Sequence, residues 1–215
     1  MRLRLVAGLA ALVVLVLGIR YAGDDGPGRV DARIGAAVYG PGAPWRSVAL
    51  TMDSLGEPVG AAALVGAVVT GCLLLRRPRA AVFAVAGVGL AVGAATLLKH
   101  LAGRTIHGGN LSYPSGHTAF ATALALVLAM LATRRRGQDG PRRGGGLSLG
   151  GGRTAGTLLV LAAALLAGAA MGWAQVALGA HYPTDVLGGW CTALAVVPAT
   201  AWLVDRAAEQ RRQRN

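Results

Sequence analysis

Long apolar runs that carry almost no charge constrain this chain more than any other feature. Six such runs cover residues 3–20, 58–75, 80–98, 118–133, 154–173 and 186–204. A helix that spans a bilayer needs about 20 predominantly apolar residues. Because lipid cannot pair with backbone N–H and C=O groups, only helices and closed barrels cross it. The runs therefore predict an all-α fold, an integral membrane bundle of about six transmembrane helices.

The composition supplies the small residues that such a bundle needs. The chain is 54% hydrophobic, its mean hydropathy is +0.54 and it contains 33 Gly. Soluble domains are about 45–50% apolar, and small residues let membrane helices approach closely. Cys72 and Cys191 both lie inside predicted spans, where we expect them to pack as small apolar residues.

We interpret residues 1–215 as a single membrane domain. Residues 1–57 contain the first span and an outer connector, and residues 58–205 form the core. Residues 1–22 have the basic start and apolar run of a signal peptide, but the small-residue cleavage pattern is poor. We therefore expect a retained span.

Two segments between spans have a distinctive composition. Residues 134–153 are rich in Arg and Gly and predict a flexible cytoplasmic loop. Residues 29–38 are compatible with an amphipathic helix at the membrane interface, with Trp45 as an anchor. A structured connector is the preferred interpretation of that second segment.

The basic charge follows membrane topology. The formal net charge is +12, which taken alone suggests a nucleic-acid partner. With a cytoplasmic N-terminus, however, 15 Arg fall on or close to the cytoplasmic side and six basic residues on the other. The 15 are Arg2, Arg4, Arg76, Arg77, Arg79, Arg134, Arg135, Arg136, Arg142, Arg143, Arg153, Arg206, Arg211, Arg212 and Arg214. This positive-inside bias predicts a multi-pass plasma-membrane protein with both termini cytoplasmic, and no nucleic-acid partner.

Every His and the one Lys lie in two loops on the opposite, extracytoplasmic side. Lys99 opens the first loop, which also contains His100, His107 and His117, and His181 lies in the second loop. Side chains of these types perform acid–base and nucleophilic chemistry. The predicted site is therefore at the outer membrane face.

The first loop ends in PSGH, residues 114–117, where a new helix is predicted to begin. Ser115 is suited to cap that helix, and Gly116 lets backbone N–H groups approach a ligand closely. A helix N-terminus favours an anion such as phosphate. Lys99 and Arg104 add positive charge, and His117 is suited to donate a proton.

The second loop contains HYPTD, residues 181–185. Pro183 suits the first turn of a helix. In a helical turn the Asp185 carboxylate would bond one ring nitrogen of His181, which fixes the tautomer and leaves the other nitrogen as a base or nucleophile.

Each motif alone is weak evidence for a functional site. Four-residue matches are common by chance, and a His and an Asp at this spacing often only hydrogen-bond to each other. A zinc site of two His and one Asp is possible in principle, although a basic loop is an unfavourable neighbour for a cation. The combination carries the weight: two helix starts on one membrane face with a Lys upstream.

This combination resembles the type 2 phosphatidic acid phosphatase (PAP2) superfamily, which includes bacterial lipid phosphatases and the vanadium haloperoxidases. The family's three motifs map to residues 99–107, 114–117 and 174–185, and the resemblance covers roughly residues 58–205. It implies a PAP2-like catalytic core, and the strong preference for Arg over Lys suggests a bacterial source.

The resemblance implies a role for each matching residue. His181 would be the nucleophile that forms a phosphohistidine, Asp185 would orient it, and His117 would be the general acid. Lys99, Ser115 and the backbone of Gly116 would hold the phosphate oxygens. No metal and no cofactor would be required.

Two motif positions depart from the family's pattern. The first-motif Arg-Pro falls at Ile106 and His107, and the third-motif Ser-Arg falls at Ala174 and Gln175. Arg104 is the available substitute for the first Arg. His107 and Gln175 are possible auxiliary groups, and Gln175 donates a hydrogen bond without bringing charge.

We expect an integral-membrane phosphatase that hydrolyses a lipid phosphate or diphosphate, either phosphatidate-like or a polyprenyl diphosphate. Its partner is the membrane lipid substrate, and the sequence does not give an oligomeric state. The alternative is a PAP2-fold membrane binding protein with weak or no turnover, which Ile106 and Gln175 would favour. A haloperoxidase-like oxidation rests on fold analogy alone, and a transporter lacks support from mid-span charges or paired broken helices.

Overall fold

The structure is a computed structural model that describes residues 2–40, 42–138 and 151–214, which form eight helices and one short hairpin. The helices are α1 (Arg2–Arg20), α2 (Arg29–Val38), α3 (Trp45–Gly56), α4 (Pro58–Leu74), α5 (Pro78–Ala102), α6 (Gly116–Gln138), α7 (Gly151–Ala177) and α8 (Pro183–Arg214). The strands β1 (Thr105–Ile106) and β2 (Asn110–Leu111) pair antiparallel between α5 and α6.

Five of the described helices are each long and apolar enough to cross a membrane: α1, α5, α6, α7 and α8. Helices α3 and α4 pass the same test as a pair and meet at a bend of 67°. The predicted all-α bundle of about six membrane helices is therefore confirmed.

The second predicted span, residues 58–75, differs from a single straight helix. Helix α4 covers 17 residues, and α3 supplies further apolar length on the other side of the bend. Pro58 is the first residue of α4, and Glu57 before it is extended, with φ −64° and ψ 155°. A residue before Pro is driven out of the helical region by the Pro ring, so the chain bends there.

Large apolar side chains cover the outside of the bundle. Ile19, Val59, Leu74 and Leu101 are 78%, 83%, 79% and 71% exposed. Such a surface is unfavourable in water but matches hydrocarbon, as expected for spans that face lipid.

The interior is built from small residues, as the sequence predicts. Ala91, Ala95, Ala119, Ala123 and Ala193 are each fully buried. Their size lets α5, α6 and α8 pack closely. Helix α8 is the centre of the arrangement, since it packs against α1, α5, α6 and α7.

Two adjacent glycines allow α8 to meet the loop that precedes α6. A Cβ at Gly188 would strike the ring of Tyr113, and a Cβ at Gly189 would strike the backbone carbonyl of Ser115. The Tyr113 hydroxyl in turn donates a hydrogen bond of 2.7 Å to the Val14 carbonyl of α1. These contacts fix the PSGH loop against α8.

The connector after α1 is structured and contributes α2 and α3. In the predicted basic loop 134–153, residues 134–138 and 151–153 are helical, as the ends of α6 and α7. The rest of that loop, 139–150, lies outside the described residues, so its predicted flexibility stays a prediction. Cys72 and Cys191 are buried and free, as predicted.

The glycine at 189 gives a test of this packing. We expect Gly189→Ala to destabilise the protein by roughly 1–3 kcal/mol, because the added Cβ meets backbone that cannot rotate away. Gly66→Ala is the matched control, since a Cβ there meets nothing within 4 Å and Ala favours a helix over Gly by about 1 kcal/mol. Thermal unfolding of the full chain in detergent measures both. Equal stability of the two variants would contradict the contact.

Candidate active site

Four helix ends meet at one end of the bundle. Helices α5 and α7 finish there, and α6 and α8 start there. The Ser115 N–H donates to the Asp185 carbonyl at 2.9 Å, which ties the PSGH loop to the first turn of α8. The Lys99 ammonium group donates to the Leu111 carbonyl at 3.3 Å across the hairpin. The two loops that the sequence singles out are therefore adjacent.

Helix α6 begins at Gly116, as the PSGH pattern predicts. The Ser115 hydroxyl accepts a hydrogen bond of 3.3 Å from the Thr118 N–H and caps the helix. The first N–H groups of a helix have no partner within it, and a Cβ at Gly116 would meet nothing within 4 Å. The N-terminus of α6 thus offers N–H donors beside open space.

Helix α8 begins at Pro183, so Asp185 lies in its first turn. One carboxylate oxygen of Asp185, Oδ2, accepts a hydrogen bond of 2.9 Å from the Tyr182 N–H. The same oxygen lies 3.8 Å from His181 Nδ1. That distance is too long for a hydrogen bond. Nδ1 nevertheless faces the carboxylate, which leaves Nε2 for other chemistry.

His181 is 8% exposed, and Nδ1 has no hydrogen-bond partner among the described residues. Burial lowers the pKa of His181 below its ordinary 6.5, and the nearby Asp185 carboxylate offsets this only in part. The positive charge of Lys99 and the proximity of His117 lower it further. His181 is therefore held in its neutral form, which is the nucleophilic form.

Arg104, the predicted substitute for the first-motif Arg, is fully buried in a cluster of its own. Its Nη1 donates to Asp185 Oδ1 at 2.7 Å and to the Thr184 hydroxyl at 2.6 Å. Its Nη2 donates to Asp31 Oδ2 at 2.7 Å. The guanidinium carbon lies 4.2 Å from the centre of the Tyr21 ring and 4.5 Å from that of Tyr182.

The positive charge of Arg104 is compensated by two carboxylates. Burial by itself would lower the pKa of Arg104. The hydrogen bonds and negative charges of Asp31 and Asp185 outweigh this effect and raise the pKa above its ordinary value. Both Nη atoms are bonded within the cluster, and Nε is buried with no hydrogen-bond partner among the residues that the structure describes. The predicted contact between Arg104 and a phosphate stays a prediction, and it would have to displace these bonds.

Asp31 is a site residue that the sequence analysis missed. It lies on α2, is 2% exposed, and its Oδ1 accepts a hydrogen bond of 2.9 Å from the Thr184 N–H at the start of α8. Its signal in the sequence is weak: it is the one acid in a short amphipathic segment. Its partner Arg104 is 73 residues away.

Gln175 and His117 meet two carboxylates of the α3 region that the sequence analysis also missed. Gln175 Nε2 donates to Asp53 Oδ1 at 2.8 Å. His117 Nε2 lies 3.5 Å from Asp53 Oδ1 and 3.6 Å from Glu57 Oε1. A Cβ at Gly56 would strike the His117 ring, so this glycine lets α3 approach the site.

The other two histidines have different surroundings. His107 is exposed, and its Nε2 lies 2.7 Å from the Gly179 carbonyl, which links the hairpin to the loop before α8. His100 is exposed and its Nδ1 lies 2.8 Å from the Thr96 carbonyl within α5. His107 thus joins the two loops of the site, and His100 does not contact them in the bonds described.

Among the described residues, one group of side chains converges as metal ligands do: Asp53, Glu57 and His117, with ligand atoms within 4.8 Å of one another. It differs from the set of two His and one Asp that the sequence left open. Partly exposed acidic groups of this kind are common without an ion. The prediction that no metal is required stays a prediction.

An apolar groove opens beside the site. Its volume is about 550 Å³ and it is lined by Ala37, Val38, Tyr39, Gly40, Trp45 and Trp173. Trp45, the predicted interfacial anchor, is 61% exposed and meets Trp173 edge to face at 6.2 Å. The groove adjoins the second loop, because the Gly40 N–H donates to the Ala177 carbonyl at 3.0 Å.

Comparison with known protein families places this architecture. The model of the PAP2 superfamily matches residues 80–209. The chain belongs to the PAP2 superfamily. Comparison with curated proteins gives no match.

A solved structure agrees with the PAP2 fold over nearly the whole chain. It is the crystal structure of a transmembrane PAP2-type phosphatidylglycerolphosphate phosphatase from Bacillus subtilis. The TM-score is 0.68, the sequence identity is 21%, and the alignment covers 95% of this chain and 96% of the other. At this identity the likeness shows the fold.

The PAP2 match contains every site residue predicted from the sequence, from Lys99 to Asp185. The three carboxylates found only in the structure, Asp31, Asp53 and Glu57, lie before it. The connector therefore adds groups to the PAP2 site that its motifs do not specify.

Proposed function

We propose that this PAP2 protein is an integral-membrane phosphatase that hydrolyses a lipid phosphate or diphosphate through a phosphohistidine at His181. One observation carries the proposal. The Ser115 N–H donates to the Asp185 carbonyl at 2.9 Å, so the PSGH segment with His117 lies against the turn in which Asp185 backs His181 at 3.8 Å. The charge of Lys99 also acts on His181. A nucleophile, an orienting carboxylate, a cation and a proton donor are the parts that phosphoryl transfer requires.

In the first step, the lone pair of His181 Nε2 attacks phosphorus and forms a P–N bond. The P–O bond to the leaving group breaks, and the proton on His117 passes to the departing oxygen. Asp185 stabilises the charge that develops on the His181 ring. In the second step, water attacks phosphorus and passes a proton to His117, which the first step left deprotonated. The P–N bond breaks, its electron pair returns to His181 Nε2, and inorganic phosphate leaves.

The phosphate oxygens carry the charge that the site must stabilise. The N–H groups at the start of α6, the Ser115 cap and the Lys99 ammonium are the groups that we assign to them. Preorganised donors of this kind usually supply the largest single contribution to catalysis.

The membrane setting supports a lipid substrate. The site lies at the opposite end of the bundle from Arg76 and Arg77, which are in the turn between α4 and α5, and from Arg79, which is in the first turn of α5. Under the positive-inside rule the turn between α4 and α5 is cytoplasmic, so we assign the site to the extracytoplasmic face and both termini to the cytoplasm. A lipid head group reaches such a site while its chains stay in the bilayer.

The first test is phosphate release by the full chain in detergent micelles. The panel contains phosphatidate, a phosphatidylglycerol phosphate and a polyprenyl diphosphate. We expect release from at least one, and a loss of roughly 1,000-fold or more in His181→Ala, because the nucleophile is gone. His100→Ala is the matched control and should retain activity. Acid-labile ³²P on the wild-type chain, absent from His181→Ala, would report the phosphohistidine.

Absence of release from every lipid by folded wild-type protein would refute a phosphatase acting on these substrates. Equal release by wild type and His181→Ala would refute the assigned nucleophile. Release from one lipid alone would identify the substrate class.

The lowered pKa of His181 predicts the acid limb of the pH profile. The nucleophile must be neutral, so activity falls as pH drops through the pKa of His181. We expect the midpoint of that limb in kcat/KM to lie below 6.5, the ordinary value for His. Lys99→Met should move it upward, because Lys99 lowers the pKa of His181. A wild-type midpoint above 6.5 would contradict the assignment.

A second candidate function is a PAP2-fold binding protein with weak turnover, and the surroundings of Gln175 favour it. The side chain at this motif position is neutral and bonded to the Asp53 carboxylate. Asp53 and Glu57 add negative charge beside His117. Both features weaken the attraction for a phosphate anion.

Restoring the missing charge separates the two candidates. Gln175→Arg alone should change activity little, because Asp53 would pair with the new guanidinium. Gln175→Arg combined with Asp53→Asn should lower KM or raise kcat by about tenfold, since a hydrogen bond to a charged group contributes about 1.5–3 kcal/mol. Asp53→Asn is the control. If the double variant matches Asp53→Asn in kcat and KM, the missing charge does not limit the site.

A further inference from the structure

A buried cluster of charges joins the connector to the catalytic loops. Asp31, Arg104 and Asp185 are fully or almost fully buried, and both ion pairs measure 2.7 Å. They come from α2, from the loop after α5 and from the first turn of α8. Burying an ion costs several kcal/mol unless its partners compensate for the lost water. Their close pairing therefore holds these three elements together.

The cluster fixes the two oxygens of Asp185 in different roles. Oδ1 accepts the hydrogen bond from Arg104 Nη1. Oδ2 accepts the Tyr182 N–H and is the oxygen next to His181 Nδ1. Rotation of the carboxylate would break both bonds, so the oxygen facing His181 is held in place.

Asp31 and Thr184 also hydrogen-bond to each other and fix the first turn of α8. Asp31 accepts hydrogen bonds from the Thr184 N–H and from its hydroxyl, each at 2.9 Å. The Thr184 hydroxyl also accepts one from Arg104 Nη1. A carboxylate at a helix N-terminus is stabilising, so Asp31 anchors the start of α8 next to the His181 loop.

The charge balance explains why two carboxylates surround one guanidinium. With Asp185 as its sole partner, Arg104 would cancel the negative charge that His181 needs behind it. With Asp31 present, the cluster of one cation and two anions has a net charge of −1. A negative charge therefore remains at Asp185 to stabilise the positive imidazole ring that forms during phosphoryl transfer.

We propose that Asp31 and Arg104 are positioning residues that act through Asp185 to orient and charge-balance the nucleophile His181. Arg104 then supports the pair of His181 and Asp185, in place of the phosphate-binding role expected from the sequence. The inference rests on the proposed function, because it takes His181 as the nucleophile. Asp31 lies on α2 of the connector, outside the residues that the PAP2 family model matches. The connector would therefore take part in the reaction through Asp31.

Kinetics of the full chain in detergent test the proposal. Asp31→Asn keeps the shape of the side chain and removes one buried charge. We expect kcat to fall roughly 10- to 100-fold with KM almost unchanged, because small displacements of catalytic groups cost this much. Arg104→Lys should also lower kcat, since an ammonium group cannot bond both carboxylates in one plane. Asp25→Asn, an exposed carboxylate of the same connector, is the matched control.

Two kinetic outcomes would overturn the proposal. The first is a kcat for Asp31→Asn equal to that of Asp25→Asn. The second is an increase in KM for Arg104→Lys at unchanged kcat, which would return Arg104 to the substrate phosphate. If Asp31→Asn does not fold, two variants of Thr184 test the proposal instead. Thr184→Val loses the hydroxyl and should lower kcat several-fold, whereas Thr184→Ser keeps the hydroxyl and should have nearly the wild-type kcat. Equal kcat values for the two variants would contradict the proposal.

A readout without substrate separates this inference from the proposed function. The chain has four His, so ¹⁵N-histidine NMR resolves His181 by comparison with His181→Ala. We expect one tautomer, protonated at Nδ1, in wild type and Asp25→Asn, and a mixture of tautomers in Asp31→Asn. If wild type releases no phosphate, this measurement alone tests the positioning role of Asp31. The same tautomer in Asp31→Asn as in wild type would overturn it.

Discussion

Hydrocarbon neither pairs with a backbone amide nor solvates a charge, and this constraint decides where the chain places its chemistry. The spans bury Ala and expose Leu, Ile and Val. Polar side chains gather where helices end, and the ends of α5, α6, α7 and α8 meet. Because a helix N-terminus attracts anions, an end with two helix starts is suited to phosphate.

Burial at this end creates a second requirement, that each buried charge has a partner of opposite sign. Asp185 backs His181 but is itself excluded from water, so Arg104 must accompany it. Arg104 in turn requires Asp31, which the connector supplies through α2. Through these contacts the connector reaches the carboxylate that lies next to His181.

The same connector changes the electrostatics of the open side of the site. PAP2 motifs place Arg where this chain has Ile106 and Gln175, and α3 brings Asp53 to Gln175. The site thus has fewer cations than the motif pattern expects and additional carboxylates beside His117. In the proposed mechanism, Lys99 and the N–H groups of α6 are the main groups for an anion, so we expect substrate affinity to depend on them.

The sequence by itself determined the features that depend on neighbouring residues. Apolar runs gave the helices and their membrane setting, Ser115 marked the start of α6, and Pro183 marked the start of α8. It did not determine the bend beside Pro58 or the partners of Arg104 and Gln175. Those partners, Asp31 and Asp53, are 73 and 122 residues away. Only the packing of α2 and α3 against the bundle brings such distant charges together, because no local pattern encodes an ion pair across that separation.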